Sequence, residues 1–178
     1  MPASLAGRVL LAHPSLEDAN FRRSAVLLNL HSAREGAMGV VLNRPLGRTL
    51  ADLDGRFARG PLAAVPAHEG GPVHPDRLAL GAWRLAPGGP GDVRFGLDEA
   101  EASLLAADPA VRLRAYVGHS GWSPGQLENE LRLNAWVPVP LGPEADVLPG
   151  ERLWKRWLAE ARPDLRLLAE SPGDLGLN

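Results

Sequence analysis

Short apolar runs, alternating segments and a few helical stripes divide this chain. Arg8 to Ala12 predicts a first strand. Ser24 to His31 is a nearly continuous apolar run, which predicts an interior strand covered on both faces. Ser32 to Ala37 contains Glu35-Gly36 and reads as a turn, and Met38 to Asn43 returns as the second arm of a hairpin. Thr49 to Leu53 reads as one short helical turn. Residues 55 to 71 carry no clear period, and Gly70-Gly71-Pro72 marks a tight bend.

In the second half, Leu78 to Trp83 predicts a strand and Pro87 to Asp92 a loop. Asp98 caps a helix with Glu101 at its third position, and Pro109 stops it. Arg112 to Gly118 alternates, with Leu113, Ala115 and Val117 on one face and Arg112, Arg114 and Tyr116 on the other, so it reads as a half-buried strand. A helix from Ser123 to Asn134 follows, then a loop from Gly142 to Gly150. Glu151 to Arg162 is a last helix with Trp154, Leu158 and Ala161 along one stripe, ended by Pro163, and Ser171 to Asn178 reads as frayed. Strands and helices are intermixed and the early hairpin is antiparallel. The expectation is one α+β domain over residues 1–178, built on a mixed or antiparallel, bent sheet with helices packed on it.

The densest segment is Gly118-His119-Ser120-Gly121-Trp122-Ser123-Pro124-Gly125-Gln126-Leu127. Ser123 suits an N-cap, Pro124 the first helical position and Gln126 the third, a capping box. Trp122 before the cap and Leu127 at the fourth position have the spacing of a hydrophobic staple, and Leu131 lies one turn beyond Leu127 on the core side. Glu128 and Arg132 are a solvated acid-first pair, and Glu130 points elsewhere, toward solvent or a neighbouring arginine. Ser120 invites comparison with a nucleophile elbow, but glycine is needed two residues to either side and Trp122 stands after it. His119 is adjacent on an extended segment and faces the other way. Structure is the favoured reading of Ser120, and no catalytic residue is assigned.

Composition narrows the classes. The chain has 178 residues, a net charge of -2 and 19 basic residues, of which only Lys155 is lysine. That balance does not carry a nucleic-acid footprint, and direct DNA binding is not expected. Cysteine is absent, which excludes disulfides, thiol catalysis and cysteine-bound metals. No segment approaches membrane-spanning length and the amino terminus lacks a leader pattern, so a cytoplasmic protein with no membrane contact is expected.

The chain resembles the AlgH/YqgE family of small bacterial proteins. The blocks that carry the likeness run from Leu5 to Trp157: Leu10-Leu11-Ala12-His13-Pro14, Asp18, Phe21-Arg22-Arg23-Ser24, His31, Glu35-Gly36-Ala37-Met38-Gly39, Leu42-Asn43-Arg44-Pro45, Gly70-Gly71-Pro72-Val73, Gly121-Trp122, Gly125-Gln126-Leu127-Glu128 and Ala135-Trp136. The resemblance implies an α+β fold whose strongly bent sheet closes toward a pseudo-barrel. It carries a transcriptional-regulator label that rests on genetic association, and it implies no settled activity. Asn29 stands where many members have cysteine, and His119 where an aromatic residue is usual.

Candidate chemistry is sparse. A hairpin brings Ser24 near Asn43, and with them Arg22, Arg23 and Arg44, a possible seat for carboxylate or phosphate. The plainer reading pairs these arginines with Asp18, Glu35 or Glu69. Gly71 could admit a ligand to backbone amides, although a structural turn is favoured. His31 and Glu35 flank one turn, but a third ligand is not evident; local hydrogen bonding is expected there, with no metal or cofactor. The strand face Arg112, Arg114, Tyr116 is explained by half-burial, and no helix-turn-helix is present. The preferred function is a non-enzymatic binding module for a small anionic ligand or a protein partner. Its candidate surface is Arg22, Arg23, Asn43, Arg44, Gly71, Trp122 and Gln126. The alternatives are a hydrolase using Ser120 with a distant histidine and a direct DNA-binding regulator. The oligomeric state is left open.

Overall fold

The two apolar stripes of the first strands settle which faces are covered. A computed structural model describes residues 4–86 and 89–171. β1 (Arg8–Ala12) pairs antiparallel with β2 (Ala25–Ser32). Val9, Leu11, Ala25 and Leu27 point into one core cluster, whereas Leu10, Ala12, Val26 and Leu28 point into another. Both faces are therefore buried, as the continuous apolar run predicts; each leucine contributes about 2 kcal/mol. β3 (Gly36–Val41) closes the hairpin one to two residues earlier than expected, because the turn is confined to Ala33, Arg34 and Glu35.

β4 (Pro45–Thr49), α1 (Leu50–Leu53) and β5 (Pro66–Glu69) follow, then a long β6 (Val73–Ala86) and β7 (Gly89–Phe95). α1 is the predicted helical turn, with Thr49 and Asp52 forming its capping box. Two corrections fall here. β4 and β5 were not legible as strands, and residues 89–92 form the start of β7 where a loop was expected. Pro87 and Gly88 lie outside the described residues. α2 (Glu99–Ala106) has the predicted Asp98–Glu101 box, with Glu101 N–H donating to Asp98 Oδ1 at 2.8 Å.

β8 (Val111–Trp122) joins the sheet into one. Its first half lies between β5, in parallel, and β6, antiparallel, and its last residues pair with β3. The strand does not end at Gly118 as expected. There φ is +71°, and an added Cβ would lie 2.3 Å from the Gly71 carbonyl oxygen. Glycine lets the strand turn and pass against residues 70 and 71 without stopping. β9 (Trp136–Pro140) pairs with β1. The nine-stranded mixed sheet runs β4-β5-β8-β3-β2-β1-β9, with β6 and β7 branching from β8. Its path ends at β4 and β9, so the sheet is not closed into a barrel, and the α+β class that the resemblance implied holds.

α3 (Gln126–Arg132) begins two residues later than the capping pattern predicts. Gly125, with φ +79°, stands at its N-cap. Gln126 Oε1 still accepts from the Ser123 backbone N–H at 3.0 Å, but this closes a turn before the helix. Trp122, Leu127 and the half-buried Leu131 share one cluster, as the staple predicts. α4 (Glu151–Ala161) buries Leu153, Trp154, Trp157 and Leu158, whereas the predicted stripe member Ala161 is exposed. α4 stops before Pro163 as expected, but it is not the last helix: a short turn over Pro163–Leu165 leads to α5 (Arg166–Glu170). Residues 172–178, expected to fray, lie outside the described residues.

Candidate functional site

The β2–β3 hairpin does bring Asn43 beside the arginine segment, but as a brace. Asn43 Oδ1 accepts from Ala25 N–H at 2.8 Å, and its Nδ2 donates to the carbonyls of Arg23 and Gly150 at 2.9 and 3.2 Å. All its side-chain hydrogen-bonding groups are thereby engaged. Arg23, with φ +54°, donates to Glu151 at 2.6 Å and to the Ser171 carbonyl at 2.5 Å. Its guanidinium also lies 5.8 Å from the Trp154 ring centre. Its partner is Glu151 and not the expected Asp18, Glu35 or Glu69. Arg44 does reach Glu69, at 3.5 Å, and touches the carbonyls of Ala19 and Arg22 at 3.5 and 3.4 Å. Arg22 is exposed, and its guanidinium makes no hydrogen bond among the described residues.

Gly71 is packed against β8. An added Cβ would stand 2.5 Å from Ser120 Oγ and from the carbonyl carbon and oxygen of His119. Ser120 is wholly buried, and its hydroxyl donates to the Gly70 carbonyl at 3.1 Å. The His119 ring lies 5.6 Å from the His74 ring. Among the described residues no imidazole is bonded to Ser120.

Trp122 and Gln126 belong to a carboxylate clamp. Glu130 Oε2 accepts from the indoles of Trp122 and Trp136 at 2.8 and 2.7 Å, and Oε1 accepts from Gln126 Nε2 at 2.9 Å. Phe21 stacks on Trp122 with ring centres 6.1 Å apart and meets Trp136 edge-on at 5.6 Å. Glu130 is thus neither solvated nor arginine-bound. His31 is not paired with Glu35. Its Nδ1 accepts from Leu5 N–H at 2.9 Å, and its Nε2 stands 3.0 Å from Glu128, fastening the amino-terminal segment to α3. No group of three metal-ligating side chains occurs among the described residues.

A separate concavity lies elsewhere, lined in part by the turn over Pro143–Asp146. It has a volume of about 510 Å³. Leu42, Pro45, Pro66, Leu113, Val147, Leu148 and Pro149 form its apolar wall, and His68, Arg112, Arg114 and Asp146 supply its polar groups. β8 presents the two arginines two residues apart, on one face. Arg114 is buried, against the half-exposed reading of that face. It donates to the Leu42 carbonyl at 2.8 Å and to the Ala145 carbonyl, and stacks 4.8 Å from the Trp83 ring centre. Tyr116 is fully buried behind it, and burial pushes its phenol up to about 12.

Asp146 bridges the arginines. Its Oδ1 lies 3.5 Å from Arg114 Nη2 and its Oδ2 3.2 Å from Arg112 Nε. The second contact is an ion pair without hydrogen-bond alignment, so Oδ2 lacks a bonded donor. Burial raises the Asp146 carboxyl above its usual pKa, and the cations of Arg114 and Arg112 oppose that. His68 is 6% exposed, and its Nδ1 has no partner. Burial, then the Arg114 cation, pulls its pKa down to about 4, against the Pro66 carbonyl, so the ring is neutral at pH 7. Two guanidiniums and one imperfectly held carboxylate, beside a neutral imidazole, give this pocket a net positive charge and forked donors.

His68 and Asp146 escaped the sequence reading because they lie in the unassigned 55–71 segment and in the 142–150 loop. The alternation of Arg112 and Arg114 was the one available signal.

Fold and site together define an α+β protein with a branched, mixed nine-stranded sheet and a polar pocket where β5, β8 and the 143–149 segment meet. The sequence profile of the family described as AlgH-like matches residues 9–166, and the chain belongs to that family. A UPF0301 protein of Streptomyces coelicolor is 41% identical over 191 residues, covering 99% of this chain and 96% of the relative. One from Stenotrophomonas maltophilia is 38% identical, covering 97% of each chain. The solution structure of the AlgH protein from Pseudomonas aeruginosa superposes with a TM-score of 0.67 at 28% identity, covering 98% of this chain and 97% of that one. A crystal structure of a Corynebacterium diphtheriae protein gives 0.70 at 25% identity, covering 95% and 92%. Among the described residues no helix is long and apolar enough to cross a membrane.

Proposed function

We propose that this chain is a non-enzymatic binding module with a regulatory role, and that its ligand is a small anion seated between His68, Arg112 and Arg114. The observation that carries the reading is the pair of guanidiniums, Arg112 and Arg114, on one wall of the cavity, met there only by the misaligned carboxylate of Asp146. The two guanidiniums against one carboxylate leave the site a net positive charge, which favours an oxyanion. The engagement of Ser120 with the Gly70 carbonyl supports binding over hydrolysis. The net charge of -2 supports a small ligand over duplex DNA.

Native mass spectrometry of the purified protein, with thermal shifts across a panel of carboxylates and phosphate esters, tests this. A saturable stabilisation that is lost in Arg112→Gln and kept in an Arg22→Gln/Arg44→Gln double variant is expected. Loss confined to the double variant moves the anion to the hairpin corner. No bound species and no shift across the panel contradicts the small-ligand reading.

A further inference from the structure

Resting on the ligand site just proposed, we infer that the Asp146 carboxylate is an internal placeholder for a ligand that is an oxyanion carried on an apolar body. On binding, that oxyanion takes the carboxylate's place beside Arg112.

The argument starts from how unequally the two arginines are held. Arg114 is buried, bonded to two backbone carbonyls and stacked on Trp83, so it is a fixed floor. Arg112 is 40% exposed in its side chain, and its side-chain hydrogen bonds go to the carbonyls of Pro109 and Val111 through Nη1. Asp146 sits between them with one oxygen 3.5 Å from Arg114 and the other 3.2 Å from Arg112 but not aligned to it. A well-made guanidinium–carboxylate pair has two parallel bonds near 2.8 Å. Asp146 therefore occupies the forked-donor seat without making the interaction that the seat can provide. An incoming oxyanion can take both guanidiniums in better geometry.

The displaced carboxylate has somewhere to go. Asp146 lies at the end of a one-turn helix, and its neighbour Val147 is 71% exposed, so rotation of the aspartate side chain leads toward water. The rest of the wall sets the ligand's other end. Leu42, Leu113, Leu148 and the three prolines offer no hydrogen-bond donor from their side chains, so the body attached to the oxyanion is apolar.

Calorimetric titration of the full-length protein with phenyl phosphate, benzoate and inorganic phosphate provides the test, in wild type and Asp146→Asn. At least tenfold tighter binding of phenyl phosphate or benzoate is expected in Asp146→Asn, because the amide does not compete for the guanidiniums. Arg112→Gln should abolish binding in both backgrounds. Inorganic phosphate, which lacks the apolar body, should bind at least tenfold more weakly than phenyl phosphate. Preference between phenyl phosphate and benzoate identifies phosphate ester or carboxylate as the source. Binding by wild type with no gain, or with a loss, in Asp146→Asn overturns the placeholder role and leaves the binding module standing. Absence of binding by either protein overturns both. If Asp146→Asn does not fold, Asp146→Ser supplies the same comparison.

Discussion

The indole nitrogen of Trp122, at the end of β8, donates to Glu130 Oε2 on α3 at 2.8 Å. The same oxygen accepts from Trp136, the first residue of β9. One carboxylate thus ties a helix to two strands that lie at different places in the sheet. Trp122 and Trp136 are 5% and 4% exposed, so their N–H groups have little access to water.

Glu130→Ala should cost about 3 kcal/mol, since hydrogen bonds to a charged group are worth about 1.5–3 kcal/mol each and two buried indoles lose their acceptor. Glu130→Gln should cost less, because the amide oxygen can still receive the indoles while its NH2 opposes the Gln126 amide. Urea unfolding of the two variants checks the order. Equal stability of wild type and Glu130→Ala would reduce the clamp to a surface contact.

Gly118→Ala should be more damaging than its size suggests. It adds strain at φ +71° and a methyl 2.3 Å from the Gly71 carbonyl oxygen. Strain alone is about 1–2 kcal/mol, and relieving the clash requires β8 to move away from residues 70 and 71. The expected outcome is loss of soluble protein or a large fall in Tm. Gly125→Ala, also at positive φ but with open space around it, should lose only about 1 kcal/mol. The contrast between the two variants separates crowding from backbone strain.

His68 gives the fold a defined acid sensitivity. Its pKa is about 4 when folded, against the usual 6.5. Between those values the unfolded chain binds the proton and the folded chain does not, so stability falls as pH drops from about 6.5 to about 4. The full loss is about 3 kcal/mol at 1.36 kcal/mol per pKa unit. Asp146, whose carboxyl is raised, works in the opposite sense in the acid range, so the test is a difference. As the pH falls through this window, the Tm of wild type should drop relative to that of His68→Gln. Parallel curves would contradict the placement of His68 in a dry site beside Arg114.

Much of the architecture was written in local pattern. The Asp98–Glu101 box, the two-faced burial of β1 and β2, and the apolar faces of α3 and α4 all follow from side-chain spacing. What escaped depends on contacts between distant segments. β4 and β5 contain Pro45, Gly47 and Pro66, which depress any strand signal, and they are held by pairing with each other and with β8. Gln126 answers Ser123 as the capping pattern foretold, yet Gly125 turns left-handed and delays the helix.

The site was less legible, for a physical reason. An alternating Arg112-Leu113-Arg114 looks the same whether its polar face meets water or a buried carboxylate, and Asp146 is 32 residues beyond Arg114 in the chain. Arg23, in turn, has its charge matched by Glu151, which is still more remote at 128 residues along the chain.

The most direct measurement is a long-range 1H–15N spectrum of the histidine rings during titration with phenyl phosphate at neutral pH. The account predicts a saturable shift of the His68 ring resonances as the anion fills the pocket that His68 lines, with the ring staying neutral, and no comparable change at His13 or His31. A His68 resonance that stays fixed while the protein binds the ligand, or while nothing binds at all, would contradict it.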